Sequence, residues 1–292
     1  MHEPIVAGVE LGGTKSIAVI GRGREILARC RVPTTTPDET LGALSRQMAA
    51  WRTEYAPEAI GIASFGPISV ERGTMLPTPK PHWAWADIVG PLAQGFDSVA
   101  FHTDVTGAAL GEGRWGAAVG LSDYLYVTVG TGVGMGVIVG GRPVTGMMHP
   151  EAGHIRIRRD AGDDFAGACP FHGDCLEGLV SGPAIAARCG HGAHLLAADD
   201  PTWRHVADAL GEAFAMLFLT LSPARIIVGG GVGLGQPHVL PLVRARTVAA
   251  LGGYLGYVDA ATISAQIVPA ALGEEAGPLG TLVMAQQLLN TA

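Results

Sequence analysis

Four side chains in one polar stretch of the chain carry the donor atoms of a metal site. His154, Cys169, His172 and Cys175 supply two imidazoles and two thiols, and the last three follow the spacing Cys-x-x-His-x-x-Cys. Two thiolates neutralise a divalent ion, and four nitrogen and sulfur ligands complete the closed tetrahedral shell of structural Zn²⁺. The alternative is four unrelated surface residues, but packing does not readily explain this spacing in a polar loop. The pattern therefore predicts a structural zinc site.

Three glycine-rich segments could hold a polyphosphate. Gly12-Gly13-Thr14 and Gly130-Thr131-Gly132 each lie between two short predicted strands, and Gly229-Gly230-Gly231 follows another strand. Glycine lets backbone N–H groups approach an anion, and threonine adds a hydroxyl donor. Either turn alone could be a tight hairpin, whereas the three together favour nucleotide binding. The Walker pattern is absent, and no helix follows either turn as a dinucleotide-binding motif requires.

Asp104 is the candidate general base. Phosphoryl transfer from ATP to a hydroxyl requires a base, donors around the phosphates and Mg²⁺ to screen charge. Asp104 stands where a predicted strand ends and an alanine-rich helix begins, a position at which open α/β sheets present ligand contacts. The same position would suit a helix N-cap. Glu10, just ahead of the first glycines, could organise Mg²⁺ through water or be a solvated strand-end carboxylate.

Strands and helices alternate around these residues, which predicts an α/β fold. The chain opens with an antiparallel meander, and a second hairpin at residues 124–139 repeats its character, so we expect two related halves. Residues 150–178 form a polar excursion too long for a plain connector. Further predicted elements are strands at 59–64, 99–102, 225–228 and 263–268, and helices at 37–51, 104–118, 182–189, 202–221 and from about 274.

The expected domain organisation is two lobes. Residues 1–114 with about 271–292 form an N-terminal lobe, and residues 115–270 form a C-terminal lobe that contains the predicted zinc loop at about 150–178. Because no Ser- or Pro-rich linker separates the halves, a boundary near Arg114 should be a hinge.

Composition excludes several classes of protein. With 292 residues, 48% of them hydrophobic, the chain has ample core material and is not disordered. A net charge of -7, with 15% charged residues and no run of Lys or Arg, makes nucleic acid an unsuitable partner. No apolar run reaches about 18 residues, and no signal-peptide pattern opens the chain. We therefore expect a soluble cytoplasmic protein with no membrane partner.

These motifs, and their order along the chain, resemble those of the ROK sugar kinases. That family has the actin/hexokinase-like (ribonuclease H-like) ATPase fold. The Cys169 to Gly178 block is similar to the bacterial zinc-containing ROK fructokinase branch. The resemblance implies ATP-dependent phosphorylation of a hexose, with D-fructose to fructose 6-phosphate as the first choice and mannose, glucose or an N-acetyl hexosamine as alternatives. It also implies a homodimer. The segments that carry it are residues 8–15, the Asp104 segment, residues 129–134, 150–154 and 169–177, and the triple glycine.

The resemblance assigns individual roles. Asp104 matches the catalytic base. If one ring nitrogen of His154 binds zinc, the other can donate to a sugar hydroxyl. The loops at residues 64–67 and 78–83 resemble loops that close over the sugar. The implied sugar contacts are Gly66, Thr103, Asp104, Glu151, His154 and Glu177. The implied ATP contacts are Gly12, Gly13, Thr14, Thr131, Gly132, Pro183, Gly230 and Gly231.

Three positions depart from the wider family pattern. Thr103 stands where many members have Asn, Glu10 stands where most of the superfamily has Asp, and His172 appears where the wider family has a further cysteine. Two other classes of function stay open on this basis. A sugar-responsive repressor is the weaker of the two, because it would need an N-terminal helix-turn-helix and we expect the chain to begin directly with its first strand. A sugar-binding protein without turnover would explain the first two departures.

Overall fold

The computed structural model describes residues 3–290, which divide into two compact units. The first unit contains the chain up to Val119, the short segment Thr145–His149, and the chain from Glu274 onwards. The second unit contains Gly120–Val144 and Pro150–Gly273. Arg114 lies in the last turn of a helix inside the first unit. The observed division thus differs from the predicted lobes at residues 115–119, 145–149 and 271–273.

Strands and helices alternate along both units. The strands, in chain order, are β1 (Ile5–Leu11), β2 (Lys15–Arg22), β3 (Glu25–Pro33), β4 (Ile60–Ser64), β5 (Ile68–Ser69), β6 (Thr74–Met75), β7 (Val99–Thr103), β8 (Tyr124–Val129), β9 (Val133–Val139), β10 (Arg142–Pro143), β11 (Arg225–Gly229) and β12 (Ile267–Pro269). The α-helices are α1 (Pro37–Tyr55), α2 (Val89–Leu92), α3 (Asp104–Trp115), α4 (Leu176–Val180), α5 (Gly182–Cys189), α6 (Thr202–Leu221), α7 (Gly230–Gly235), α8 (Val239–Leu251), α9 (Ile263–Gln266) and α10 (Ala276–Asn290). Single 3₁₀ turns lie at Ala152–His154, Ala193–Leu195 and Gly273–Glu275.

The two units contain sheets of the same topology. In the first unit the strand order is β3-β2-β1-β4-β7, and in the second it is β10-β9-β8-β11-β12. In each sheet the first three strands pair antiparallel as a meander and the last two join in parallel. The prediction of two related halves is therefore confirmed. Each sheet packs into a separate hydrophobic core.

Local sequence accounts for the long helix of the first unit. The Thr36 side chain accepts the backbone N–H of Glu39, Pro37 occupies the first turn, and Ala56 ends the helix in a left-handed conformation. The buried side chains recur at helical spacing and face the sheet: Leu41, Leu44, Met48 and Trp51. Central strand β4 is buried throughout, as expected for a strand covered on both faces.

Helices α3 and α10 approach each other unusually closely, which fixes the start of α3. A Cβ on Gly280 would lie 1.8 Å from the carbonyl oxygen of Gly107, and a Cβ on Gly111 would lie 2.7 Å from the carbonyl oxygen of Ala276. Only glycine permits this backbone contact. Asp104, the first residue of α3, is held in place by that packing.

The prediction of a strand at 263–268 is wrong for most of these residues. Residues 263–266 form the helical turn α9, and only Ile267–Pro269 pair with β11. Asp259 causes the difference, because its carboxylate accepts the N–H groups of Ala261 and Thr262 and starts the turn. A short apolar run does not by itself distinguish the two structures. Among the helices of residues 3–290, none combines the length and apolar character needed to span a membrane.

Candidate functional site

The carboxyl ends of three parallel strands of the first sheet lie side by side. In register, Leu11 of β1 pairs with Ser64 of β4, and Ser64 pairs with Thr103 of β7. The residues that follow these strands therefore share one edge of the sheet. Those residues are the first glycine turn (residues 12–14), Phe65 with Gly66, and Asp104. Such an edge is where open α/β sheets bind ligands.

Hydrogen bonds hold the base of the first glycine turn in place, and its tip is exposed to solvent. The Thr34 hydroxyl donates to the carbonyl oxygen of Gly12 at 2.8 Å and lies 2.7 Å from the Ser16 hydroxyl. Gly13 and Thr14 are exposed. The turn therefore offers backbone N–H groups and a hydroxyl to a ligand from a fixed position.

Asp104 has a carboxyl that is not used as a helix cap. Thr103 is the N-cap of α3, with its hydroxyl accepting the N–H of Thr106 and lying 2.8 Å from the Thr106 hydroxyl. The N-cap alternative for Asp104 is therefore wrong. One carboxylate oxygen of Asp104 accepts the N–H of Val105 at 2.8 Å, and burial raises the pKa of Asp104 to about 6. A carboxyl with such a pKa can accept a proton near neutral pH.

Glu10 places a second, half-buried carboxyl on the same sheet edge. Its side chain lies against Gly277 of α10, where an added Cβ would sit 2.0 Å from Oε1. Burial, with a further contribution from the negative charge of Asp104, raises the pKa of Glu10 to about 7. When both are ionised, the carboxylates of Glu10 and Asp104 repel each other, and the low dielectric of their surroundings strengthens the repulsion. A divalent cation would offset this repulsion, and carboxylate oxygen is the donor that Mg²⁺ prefers.

Glu10→Gln is expected to stabilise the protein near pH 8 when nucleotide and Mg²⁺ are absent. Between the ordinary pKa of glutamate and about 7, the folded state retains a proton that the unfolded state has released, so ionised Glu10 destabilises the fold as the pH rises. The variant should gain roughly 2 kcal/mol at about pH 8 and little at about pH 4. Denaturant unfolding in a chelating buffer measures this.

The control for this prediction is Glu58→Gln, which removes an exposed carboxyl of the same unit. It should change stability by less than about 0.5 kcal/mol at either pH. Equal effects of Glu10→Gln at both pH values would show that the buried charge of Glu10 does not destabilise the fold.

The second sheet assembles the other predicted nucleotide contacts. Thr128 of β8 pairs with Gly229 of β11, so the second glycine turn (residues 130–132) and the triple glycine lie at neighbouring strand ends. Gly230 adopts φ +83°, and a Cβ there would lie 2.5 Å from the Thr128 hydroxyl oxygen. Glycine is therefore required at this close approach.

Residues following Cys175 hold the second glycine turn at both ends. The N–H of Gly182 donates to the carbonyl oxygen of Gly130 at 2.7 Å, and Glu177 accepts the N–H of Val133 at 3.0 Å. Pro183 follows in the first turn of α5. The second unit thus brings Thr131, Gly132, Pro183, Gly230 and Gly231 together, while Gly12, Gly13 and Thr14 belong to the first unit.

The four predicted metal ligands converge. Their donor atoms all lie within 4.8 Å of one another. His154 Nδ1 lies 3.7 Å from Cys169 Sγ and 3.6 Å from Cys175 Sγ, and His172 Nδ1 lies 3.7 Å from Cys169 Sγ. Tetrahedral zinc with ordinary bond lengths requires nitrogen–sulfur separations of about 3.6 Å. The donor set and its spacing therefore fit a zinc ion.

The thiol of Cys175 lies in the protein interior. Its side chain is fully buried, and burial raises the pKa of its thiol to about 11. Near neutral pH the thiol is therefore protonated on its own, and zinc binding would release its proton.

An ion-pair network that the sequence reasoning missed anchors the 150–178 loop. Asp163 accepts two hydrogen bonds from Arg188 of α5, at 2.6 and 3.0 Å, and Arg159 joins Asp163 to Asp174. The Arg188 guanidinium holds the pKa of Asp163 well below its usual range. Arg188 also stacks on Phe165. In the sequence, this network is indicated only by the cluster of charged residues at 156–174 in a chain that has few charges.

The candidate sugar contacts fall into two groups. Gly66, Thr103 and Asp104 belong to the first unit, and Glu151, His154 and Glu177 belong to the second. His154 turns Nδ1 to the thiols, which leaves Nε2 on the opposite side of the ring. Gly153 packs against the carbonyl oxygen of Val133, where a Cβ would lie at 1.8 Å. The 3₁₀ turn after Glu151 is thereby fixed beside the end of the second glycine turn.

Comparison with known proteins gives a consistent result. The ROK family model matches residues 6–288. The chain is 41% identical to the fructokinase of Zymomonas mobilis over 289 residues, which cover 95% of each chain. A ROK hexokinase from Thermus thermophilus superposes with a TM-score of 0.80 at 29% identity, covering 99% of this chain and 100% of that one.

A ROK glucokinase from Streptomyces griseus, solved with glucose and AMPPNP, has a TM-score of 0.77 at 27% identity and covers 97% of this chain and 99% of its own. The fold is the actin/hexokinase-like fold, as the motifs predicted. A family model that spans nearly the whole described chain, together with these relatives, leads to one conclusion: the chain belongs to the ROK family.

Proposed function

We propose that this protein is an ATP-dependent hexose kinase that transfers the γ-phosphoryl group to D-fructose and releases fructose 6-phosphate and ADP. One observation carries the proposal. Asp104 is a half-buried carboxyl with a pKa of about 6, it is not a helix cap, and it lies on the same sheet edge as the first glycine turn. This is the placement that a general base for phosphoryl transfer requires.

In the proposed mechanism, Asp104 accepts the proton of the sugar's primary hydroxyl as its oxygen attacks the γ-phosphorus. The bond between the γ-phosphorus and the β,γ-bridging oxygen breaks, and ADP leaves with the electron pair. In the first unit the first glycine turn would contact the nucleotide, and in the second unit the second glycine turn, Pro183, Gly230 and Gly231 would do so. Glu10 would hold Mg²⁺ through water, and that ion would screen the phosphate charge.

The sugar is assigned to Gly66, Thr103, Glu151, His154 and Glu177. Carboxylates and an imidazole discriminate vicinal hydroxyl groups better than apolar walls do. Fructose is preferred because the fructokinase of Zymomonas mobilis is 41% identical to this chain, against 27% for the glucokinase of Streptomyces griseus.

Zinc is proposed at His154, Cys169, His172 and Cys175, where it would have a structural role. A closed set of four ligands leaves no open position for a substrate. Its contribution would be to hold the 150–178 loop, and with it the ring of His154 and the carboxylate of Glu177. The cytoplasmic location, the homodimer and the two lobe boundaries stay predictions.

A sugar panel tests the proposed function. With ATP and Mg²⁺, kcat/KM for fructose should exceed that for mannose, glucose and N-acetylglucosamine by about tenfold or more, since hydroxyl-reading sites discriminate strongly. A coupled ADP assay measures this, with product position checked by NMR. Higher kcat/KM for another hexose would replace fructose by that sugar. Sugar binding without ADP release would show a binding protein or regulator instead.

A further inference from the structure

Lys80 places a positive charge beside the first glycine turn. Its ammonium donates to the carbonyl oxygen of Gly13 at 2.6 Å and to that of Thr34 at 3.3 Å. Gly13 belongs to the turn itself, and Thr34 is the residue that braces it. Lys80 comes from a loop more than sixty residues further along the chain than Gly13, and the sequence reasoning gave it no role of its own.

The loop that carries Lys80 is firmly built. Trp83 is fully buried, and its indole N–H donates to the carbonyl oxygen of Thr35 at 2.7 Å. The ring of Phe65 packs edge-on against Trp83 with 5.0 Å between centroids, and the Lys80 ammonium lies 5.9 Å from the Phe65 centroid. Because Phe65 directly precedes Gly66, Lys80 lies between the first glycine turn and the proposed sugar loop. On the proposed function, a group transferred from nucleotide to sugar would pass close to Lys80.

The charge of Lys80 is not neutralised. Among residues 3–290, its contacts are two neutral carbonyl groups and an aromatic ring. The other cations beside this part of the sheet have carboxylate partners within 4.0 Å: Lys15 and Arg31 with Glu274, and Arg29 with Glu275. The acids Glu10 and Asp104 lie on the same edge, so a phosphoryl group arriving there requires a compensating cation.

We propose that Lys80 is a catalytic residue whose ammonium contacts the γ-phosphate and stabilises the charge on the transferred phosphoryl group. This inference rests on the proposed kinase function. Lys80 donates hydrogen bonds and keeps its protons. The hydroxyl proton goes to Asp104, the new oxygen–phosphorus bond forms, and the β,γ-bridging oxygen takes the electron pair of the broken bond.

The first test compares Lys80→Met, Lys80→Arg and the charge-matched control Arg31→Met, an exposed change on β3 of the same sheet. Lys80→Met should lower kcat by about a hundredfold, with little change in the KM for fructose, because the lost contact acts in the transition state. Lys80→Arg should recover part of kcat. Arg31→Met should stay within about twofold of wild type. A Lys80→Met kcat near normal, in a folded variant, would overturn the proposal.

The second test separates phosphate contact from loop tethering. Calorimetry with AMPPNP and with ADP, both in the presence of Mg²⁺ and fructose, compares nucleotides with and without a γ-phosphate. Lys80→Met should weaken AMPPNP binding by about tenfold and leave ADP binding unchanged. Equal weakening of both would show that Lys80 only tethers the loop. Should wild type phosphorylate no sugar, the kinase proposal fails, and the AMPPNP and ADP comparison still decides the role of Lys80.

Discussion

Asp104→Asn is expected to lower kcat with fructose by about a hundredfold or more, the usual contribution of a positioned general base. Asparagine keeps the shape of the side chain and an oxygen that can accept the N–H of Val105, so the start of α3 should stay intact. It cannot accept the proton of the hydroxyl. Turnover should therefore fall while nucleotide affinity and thermal stability stay close to wild type. Steady-state kinetics, calorimetric ATP binding and thermal unfolding measure the three quantities.

The matched control is Asp123→Asn. Asp123 also accepts a backbone N–H through its carboxylate, that of Gly140 at 2.8 Å, but it is half-buried, precedes β8 and belongs to the second unit, whereas Asp104 belongs to the first. This variant should retain normal turnover. Near-normal turnover in Asp104→Asn would mean that another group takes the proton, and Glu151 would then be the first alternative.

The pH profile gives the same prediction a second readout. Since burial raises the pKa of Asp104 to about 6, kcat/KM should fall as the pH drops through that value and the base becomes protonated. Glu10, with a pKa of about 7, also titrates in this range. A second profile on Glu10→Gln, whose turnover should be lower because Glu10 would help to hold Mg²⁺, removes that titration, and the relative decrease near pH 6 that persists belongs to Asp104.

The second large effect concerns the metal. Protein purified without chelator is expected to carry about one zinc ion per chain. Cys175→Ala should lose that ion. Its free energy of unfolding should fall by roughly 3 kcal/mol or more, because the binding free energy of a structural zinc contributes to folding. Cys175 is fully buried at the start of α4. Metal analysis and denaturant unfolding test both parts. ATP affinity should fall too, because Glu177, two residues later, holds the second glycine turn through Val133.

Cys189→Ala is the control for this variant. Cys189 is a half-buried free cysteine of the same unit, and its sulfur lies 3.3 Å from the Thr202 hydroxyl, away from the four proposed ligands. It should keep the zinc content of wild type. Absence of zinc in wild-type protein, or Cys169→Ala and Cys175→Ala variants with unchanged metal content and stability, would remove the zinc proposal.

Much of this protein follows from its sequence alone. The meander at the start of each half, the cap and apolar stripe of α1, and the convergence of Cys169, His172 and Cys175 depend on residues close together in the chain. Their structure follows from local rules of turn geometry, helix periodicity and ligand spacing. The same rules indicated which segments could bind phosphate and which aspartate could be a base.

The tertiary structure alone decided which groups meet and how they ionise. Thr103 and Asp104 are both residue types that cap helices, and the structure makes Thr103 the cap of α3. The raised pKa values of Glu10 and Asp104 depend on burial beside α10 and α3, and the position of Lys80 depends on a loop folded back onto a turn more than sixty residues earlier. Burial and long-range contact are properties of strand order and close helix packing, which residue spacing does not encode, because distant segments become neighbours only once the sheet has formed.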